Sequence, residues 1–279
     1  MQAERTASKD AVKVSLYMKH FFCAYRILPR DAFPFEWLET TKEFKVRCND
    51  TTGEEIIFPA SPELLKAIHN CENVNFPNQG YHLPSDWGFS GFISSAVYYV
   101  IQKSPVAEIN DFFGPLFGIL GATLRLDSSR SITGVRWMHL SDNHWSCIMR
   151  DWTYDRDMPE NSRGFLLKAE LLAVSSIFFR QMNEMIWNCE TYRYRARPRY
   201  KEGILTTVKA TVATFICGEV RIVQATLNPS EPYPTLAFTL RAVIKLNKEN
   251  YSKEAAYEVL KWILCPPEAP KVLATREKK

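Results

Sequence analysis

The sequence predicts an α+β fold, with a mixed or antiparallel sheet packed against helices. Three observations lead there. Apolar residues recur at helical spacing in separate segments. Val- and Thr-rich runs broken by turn residues follow one another late in the chain. Helices and hairpins come in groups, without the regular strand–helix alternation of a doubly wound parallel sheet. With 279 residues, 46 % hydrophobic and 24 % charged, the composition is that of a globular protein and excludes wholesale disorder, a collagen-like repeat and a membrane bundle. There is no internal repeat or low-complexity linker, so residues 1–279 read as one domain.

Residues 11–28 predict the first helix. Val14, Tyr17, Phe21, Ala24 and Leu28 step by three and four into one apolar stripe, Asp10 stands at the capping position, and Pro29 helps end it. Residues 44–48 and 55–58 flank the turn-rich Asn49-Asp50-Thr51-Thr52-Gly53, the pattern of a hairpin. Ser61-Pro62-Glu63 opens a short helix, with Ser as cap and Pro at the first helical position. Residues 70–91, rich in Asn, Pro, Gly and aromatics, predict a long ordered loop, and the apolar stretches 92–102 and 105–124 read as helices.

Residues 135–140 and 145–150 surround Ser141-Asp142-Asn143-His144, a second hairpin. The strongest helical pattern spans 163–187, where Leu167, Leu171, Val174, Phe178, Met182 and Met185 hold one face. Strands are expected at 204–216, 220–227 and 235–246. Ser252 caps a last helix in which Ala255, Val259 and Trp262 share a face, until Cys265-Pro266-Pro267 stops it.

The first ten residues are polar and carry no apolar signal core. No apolar run approaches the roughly 20 residues of a bilayer crossing, since 112–124 is interrupted by Gly114, Pro115, Gly118 and Gly121. Cysteines 23, 48, 71, 147, 189, 217 and 265 are odd in number and scattered, which points to reduced thiols and an intracellular chain, in cytoplasm and/or nucleus.

Catalytic and metal motifs are missing their spacing. In Gly88-Phe89-Ser90-Gly91 the second Gly falls one residue early for a nucleophile elbow. Gly114, Gly118 and Gly121 lack the two-residue interval of a dinucleotide fingerprint. His139, His144 and Cys147 can converge across the second hairpin, and His69 with Cys71 can join His82, but neither set has the spacing of a metal motif. Asp151, Asp155, Asp157 and Glu160 lack the Gly and distal Glu of a calcium loop. The chain is therefore expected to bind no metal or cofactor and to be no enzyme.

One segment stands out. Thr191 to Lys201 contains Arg193, Arg195, Arg197, Arg199 and Lys201 and no acid. Taking these five from the 35 Lys+Arg leaves 30 against 31 Asp+Glu, so the net charge of +4 resides in this strip. Extended, it sets the arginines on one side and Tyr192, Tyr194, Ala196 and Pro198 on the other. Such a strip suits phosphates, carboxylates or stacked bases, and equally an edge strand guarded by charge and Pro198. An acidic protein partner, nucleic acid, an anionic membrane and a purely structural role all remain open for it.

The first helix and its exit carry Lys19-His20, then Arg26, Ile27, Leu28, Pro29 and Phe33. This resembles the opening of HORMA domains, the checkpoint-silencing comet branch above all, although a residue the family often carries between the Arg and the apolar pair is missing. The later order of hairpin, central helix and closing strands is similar too, and the resemblance spans about residues 11–246. Residues 66–105 exceed the family's usual length and read as an insertion, and 247–279 lie beyond its usual end as a C-terminal helix and tail.

The resemblance implies a HORMA-like two-layer arrangement and a non-enzymatic adaptor in chromosome segregation, meiosis or autophagy. Such an adaptor captures an extended partner peptide as an added strand under a C-terminal closing segment. Thr235, Phe238, Leu240 and Val243 would then belong to the closing segment, and Val208 and Val212 to the receiving strand. The alternative is a viral matrix-like or capsid-associated structural protein that binds nucleic acid or anionic membrane through residues 192–201. Either can form a homo-oligomer.

Overall fold

The computed structural model describes residues 9–74, 88–109, 124–125, 131–152, 163–183, 185–188, 191, 193–196, 207–231 and 233–268. In chain order the elements are α1 (Lys9–Ile27), β1 (Ala32–Pro34), α2 (Phe35–Thr40), β2 (Val46–Asp50), α3 (Pro62–His69), a 3-10 turn (Glu72–Val74) and α4 (Phe89–Lys103). There follow β3 (Glu108–Ile109), β4 (Leu124–Arg125), β5 (Ser131–Ser141), β6 (His144–Asp151), β7 (Phe165–Leu167) and α5 (Lys168–Asn183). The chain continues with β8 (Met185–Asn188), β9 (Arg193–Ala196), β10 (Val208–Ile216), β11 (Glu219–Leu227), β12 (Leu236–Lys245) and α6 (Lys253–Leu264).

The main sheet is eight-stranded and mixed, in the order β2-β12-β11-β10-β6-β5-β3, with β4 also on β5. Two of its pairings are parallel, β12 with β2 and β10 with β6; the rest are antiparallel. This is the α+β class the sequence predicts.

Helices cover both faces of the sheet, which corrects the two-layer expectation. Residues of one parity in the central strands, among them Val208, Ala210, Val212, Val223 and Ala225, join the core formed with α1 and α5. Those of the other parity, Ala213, Phe215, Val220 and Ile222, join a second core formed with α3, α4 and α6. The physical cause lies in β10 and β11 themselves, which carry apolar residues on both faces and are buried at nearly every position. The helices of the second face come from residues 62–103 and 253–264.

α1 lies against α5. Its buried stripe is Ala11, Val14, Met18, Phe21 and Tyr25, with Tyr17, Ala24 and Leu28 half-buried at its flank. The stripe is turned by about one residue from the predicted one because Phe21 packs edge-on against Phe44, and Tyr25 packs edge-on against Phe33 and tilted against Phe44. Asp10 sits inside the first turn rather than at the cap, where its charge still suits the positive end of the helix.

Three other expectations change. Residues 44–58 do not form a hairpin: β2 pairs with β12, almost two hundred residues later, while Ile56 and Phe58 pack into the second core. Residues 105–124 are not one helix, since Glu108–Ile109 and Leu124–Arg125 are strands on β5; the glycines between them lie outside the described residues. The helix expected at 163–187 is shorter, because Phe165–Leu167 pairs with Ala32–Pro34 and Met185–Asn188 pairs with Arg193–Ala196. Within that helix Leu171, Val174, Phe178 and Met182 are buried as the periodicity predicts.

The capping predictions at Ser61 and Ser252 hold. Ser61 Oγ accepts from Leu64 N at 3.2 Å and Ser252 Oγ accepts from Ala255 N at 3.0 Å. The second hairpin forms between β5 and β6, joined by Asp142 and Asn143.

Candidate functional site

Extended peptides attach where a strand's outward N–H and C=O groups have no partner strand, so the state of each sheet edge decides what the chain can hold. β10, the expected receiving strand, is no edge: it pairs with β6 on one side and β11 on the other. Val208 and Val212 are fully buried in the first core, as are Phe238 and Leu240 of β12. Thr235 and Val243 are half-buried. The expected receiving and closing segments are therefore not neighbours, because β11 lies between them.

β12 nevertheless offers an open stretch. β11 follows it along Ala237–Lys245, whereas β2 covers only Leu236–Leu240. The chain leaves β12 at Asp50, tied by the Thr51 N–H to Leu240 O at 3.0 Å and by Gly53, whose φ of +92° favours glycine. Beyond that point, among the described residues, no strand pairs with the outer side of residues 241–245. A β-bulge sits at the same place, as the register shifts between Ile222 and Val223, and Arg241 is the extra residue. Leu246 donates its N–H to Gly218 O at 3.0 Å on the β11 side. By alternation, the backbone groups of Lys245 and Val243 point away from β11.

Arg241 guards the bulge from the second face. Its Nη1 donates to Thr51 Oγ1 at 3.2 Å and its guanidinium lies 5.5 Å from the Trp262 ring centroid. Burial lowers its pKa, against the nearby Glu54 charge. Sequence reading passed over Arg241; the available signal is a lone charge inside the run 236–244. The outer edge of β2 is held differently, by a carboxylate: Cys48 N donates to Glu39 Oε1 of α2 at 2.9 Å. Burial, with Glu39 beside it, pushes the Cys48 thiol well above its ordinary pKa.

In the basic strip, Arg193, Tyr194 and Arg195 lie on β9, which pairs antiparallel with β8 in a two-stranded sheet separate from the main one. Tyr192, Arg197, Arg199 and Lys201 lie outside the described residues. So do His82, Asp155, Asp157, Glu160 and Cys189.

Among the described residues, no group of three or more His, Cys, Asp or Glu is placed to hold a metal ion. The hairpin pleat separates His139 and Cys147 from His144. His139 stacks on Trp145 at 3.8 Å on the α5 side, with Cys147 in the same core, whereas His144 Nε2 meets Thr211 Oγ1 at 2.9 Å on the opposite face. Among the described residues, Cys23, Cys48, Cys71, Cys147, Cys217 and Cys265 form no disulfide. Among the described residues no helix is long and apolar enough to cross a membrane.

His144 belongs to a polar group at the start of β6. Gln224 Nε2 donates to Pro267 O at 2.8 Å, and Lys209 pairs with Glu268 from the segment after α6. Burial, reinforced by the Lys209 charge and opposed by Glu268, lowers the His144 pKa to about 4. The imidazole is therefore neutral at pH 7, suited to hydrogen bonding with Thr211 and too weak a base for proton transfer near neutrality. No family model, curated protein or solved structure matches this chain.

Proposed function

We propose that this chain is a non-enzymatic adaptor that takes an extended segment of a partner protein by strand addition. The observation that carries this reading is the outer side of β12 beyond β2, which no strand among the described residues pairs with and where Val243 and Lys245 direct backbone groups outward. A peptide strand laid there gains backbone hydrogen bonds, and half-buried Val243 offers an apolar contact for one of its side chains. The settings implied by the HORMA resemblance, chromosome segregation, meiosis or autophagy, come with this reading. So does the closing segment, which in this form of the proposal is β12 itself and also receives the strand.

The test is Val243→Pro. It deletes an outward N–H while leaving the bonds to β11, so the fold should persist. A peptide array or pull-down that recovers a short linear motif with the unaltered chain and loses it with Val243→Pro supports the proposal. Unchanged binding by the variant overturns it.

A second reading is favoured by the separate β8–β9 ribbon, which places part of the basic strip in an extended strand outside the main sheet. In this reading the chain is a matrix-like or capsid-associated protein that binds nucleic acid or anionic membrane. It predicts binding that weakens steeply with salt, and a salt slope reduced by about one for each phosphate contact removed. Gln at Arg193, Arg195, Arg197 and Arg199 with no change in binding excludes it.

A further inference from the structure

α1 carries apolar residues on two opposite faces. The inner face, Ala11, Val14, Met18, Phe21 and Tyr25, is buried in the first core. The outer one is a ridge of Val12, Leu16, Cys23 and Ile27, all exposed, with Ile27 81 %, Leu16 59 % and Val12 43 % accessible. At about 100° per residue these four fall within about 60° of arc, nearly opposite the centre of the buried stripe. None of them belongs to either core. Three of the six large hydrophobic side chains exposed among the described residues lie on this one ridge, so it is a concentration rather than a scatter.

Cations flank the ridge on both sides. Lys13 and His20 follow one side, Lys19 and Arg26 the other, and Lys9 stands at its start; all five are exposed. The carboxylates paired with this face are Asp10, 3.7 Å from Lys13, and Glu43, 3.0 Å from His20. Among the described residues Lys9, Lys19 and Arg26 form no ion pair, so the face is net positive. Arg30 adds a further exposed cation just past the helix end.

The placement of the apolar groups selects the occupant. Val12 and Leu16 sit at one end of the ridge and Ile27 at the other, about 22 Å apart along the axis. Lys19, His20 and Cys23 fill the middle. A partner helix crossing at the common angle of about −50° touches mainly that polar middle, whereas a flat surface touches both apolar ends at once. A bilayer also suits cations on either flank, because their stems lie along the apolar boundary while their heads reach lipid phosphates.

We infer that the outer face of α1 lies in the headgroup layer of an anionic membrane. Val12, Leu16 and Ile27 are lowered towards the acyl boundary, and Lys9, Lys13, Lys19 and Arg26 meet the negative headgroups. Attachment combines apolar burial with attraction to anionic lipid, and needs both. It rests on α1 alone and depends neither on strand addition at β12 nor on residues 192–201.

The test is sedimentation of the full chain at low salt with phosphatidylcholine–phosphatidylserine vesicles, against vesicles of phosphatidylcholine alone. The expected result is binding to the anionic vesicles only, weakened by added salt. Leu16→Gln with Ile27→Gln should weaken it at least tenfold, and Lys19→Gln with Arg26→Gln should do the same. All four side chains are exposed, so each variant should keep the melting midpoint of the unaltered chain; where the first pair lowers it, the second pair decides. Arg193→Gln with Arg195→Gln should leave binding in place, which separates α1 from the basic strip. Absence of sedimentation with anionic vesicles overturns the proposal and leaves the ridge to a protein partner. Undiminished binding by Leu16→Gln with Ile27→Gln, the mark of charge attraction alone, overturns it too, as does loss of binding in the Arg193 and Arg195 variant.

Discussion

Arg221 Nε lies 2.8 Å from Glu170 Oε1, and both side chains are wholly shielded from solvent. The pair locks the start of α5 to β11. Arg221 Nη2 also donates to Phe165 O at 2.8 Å, and Glu170 Oε2 accepts the Leu167 N–H at 2.7 Å. One ion pair thus satisfies the backbone of β7 where it turns into the central helix. Breaking such a pair leaves a charge buried alone, at a cost of about 3–5 kcal/mol. Arg221→Met should lower unfolding free energy by that order in urea titrations, and Arg221→Met with Glu170→Leu should cost less than the two single changes added together.

The pH dependence of stability should carry the mark of His144. Its folded pKa, about 4, lies below the value near 6.5 of an unfolded histidine. Between these values the unfolded chain binds the extra proton, so stability falls as pH drops from about 6.5 towards 4 and this contribution levels off below. The full span amounts to about 3 kcal/mol. His144→Gln, whose amide can still reach Thr211, should flatten that part of a plot of urea midpoint against pH.

Gly218 turns the chain from β10 to β11 with φ +79°, and a Cβ there would lie 3.3 Å from Asn247 Nδ2. Gly218→Ala combines left-handed backbone strain with that close approach. It should destabilise by about 1–3 kcal/mol in chemical denaturation, whereas the same change at Gly91, which has ordinary backbone and only a 3.7 Å contact with Arg150 Nη2, should cost less.

Glu39 screens the outer edge of β2 through its bond to Cys48 N. Glu39→Ala removes one hydrogen bond, worth about 0.5–1.5 kcal/mol, and exposes a backbone donor on an edge strand. The expected outcome is a small drop in melting temperature with increased self-association in light scattering, since unprotected edges pair with other chains.

Local signals in the sequence carried the elements whose causes are local. Ser61 and Ser252 cap their helices because a hydroxyl three residues before an unpaired N–H suffices, and the β5–β6 and β10–β11 hairpins form around turn residues that need no distant partner. Periodicity placed Val14 and Phe21 in the core but not Tyr25, whose burial depends on Phe33 and Phe44 arriving from the next segments. The candidate site was less legible. Val243 was named, yet for a closing segment, and the bulge at Arg241 that ends coverage by β2 was not seen.

By itself, the amino-acid order determined the α+β class, most helices and strands, and the concentration of net charge in residues 191–201. Only the tertiary structure decided that Val46–Asp50 pairs with a strand almost two hundred residues away, that β10 lies inside the sheet, that helices close both faces, and that Val12, Leu16 and Ile27 stay exposed on α1. The reason is physical: caps, turns and periodic stripes are encoded within a few residues of one another, whereas the neighbour of a strand and the partner of a buried charge depend on which apolar surfaces can be buried together, a property of the whole chain.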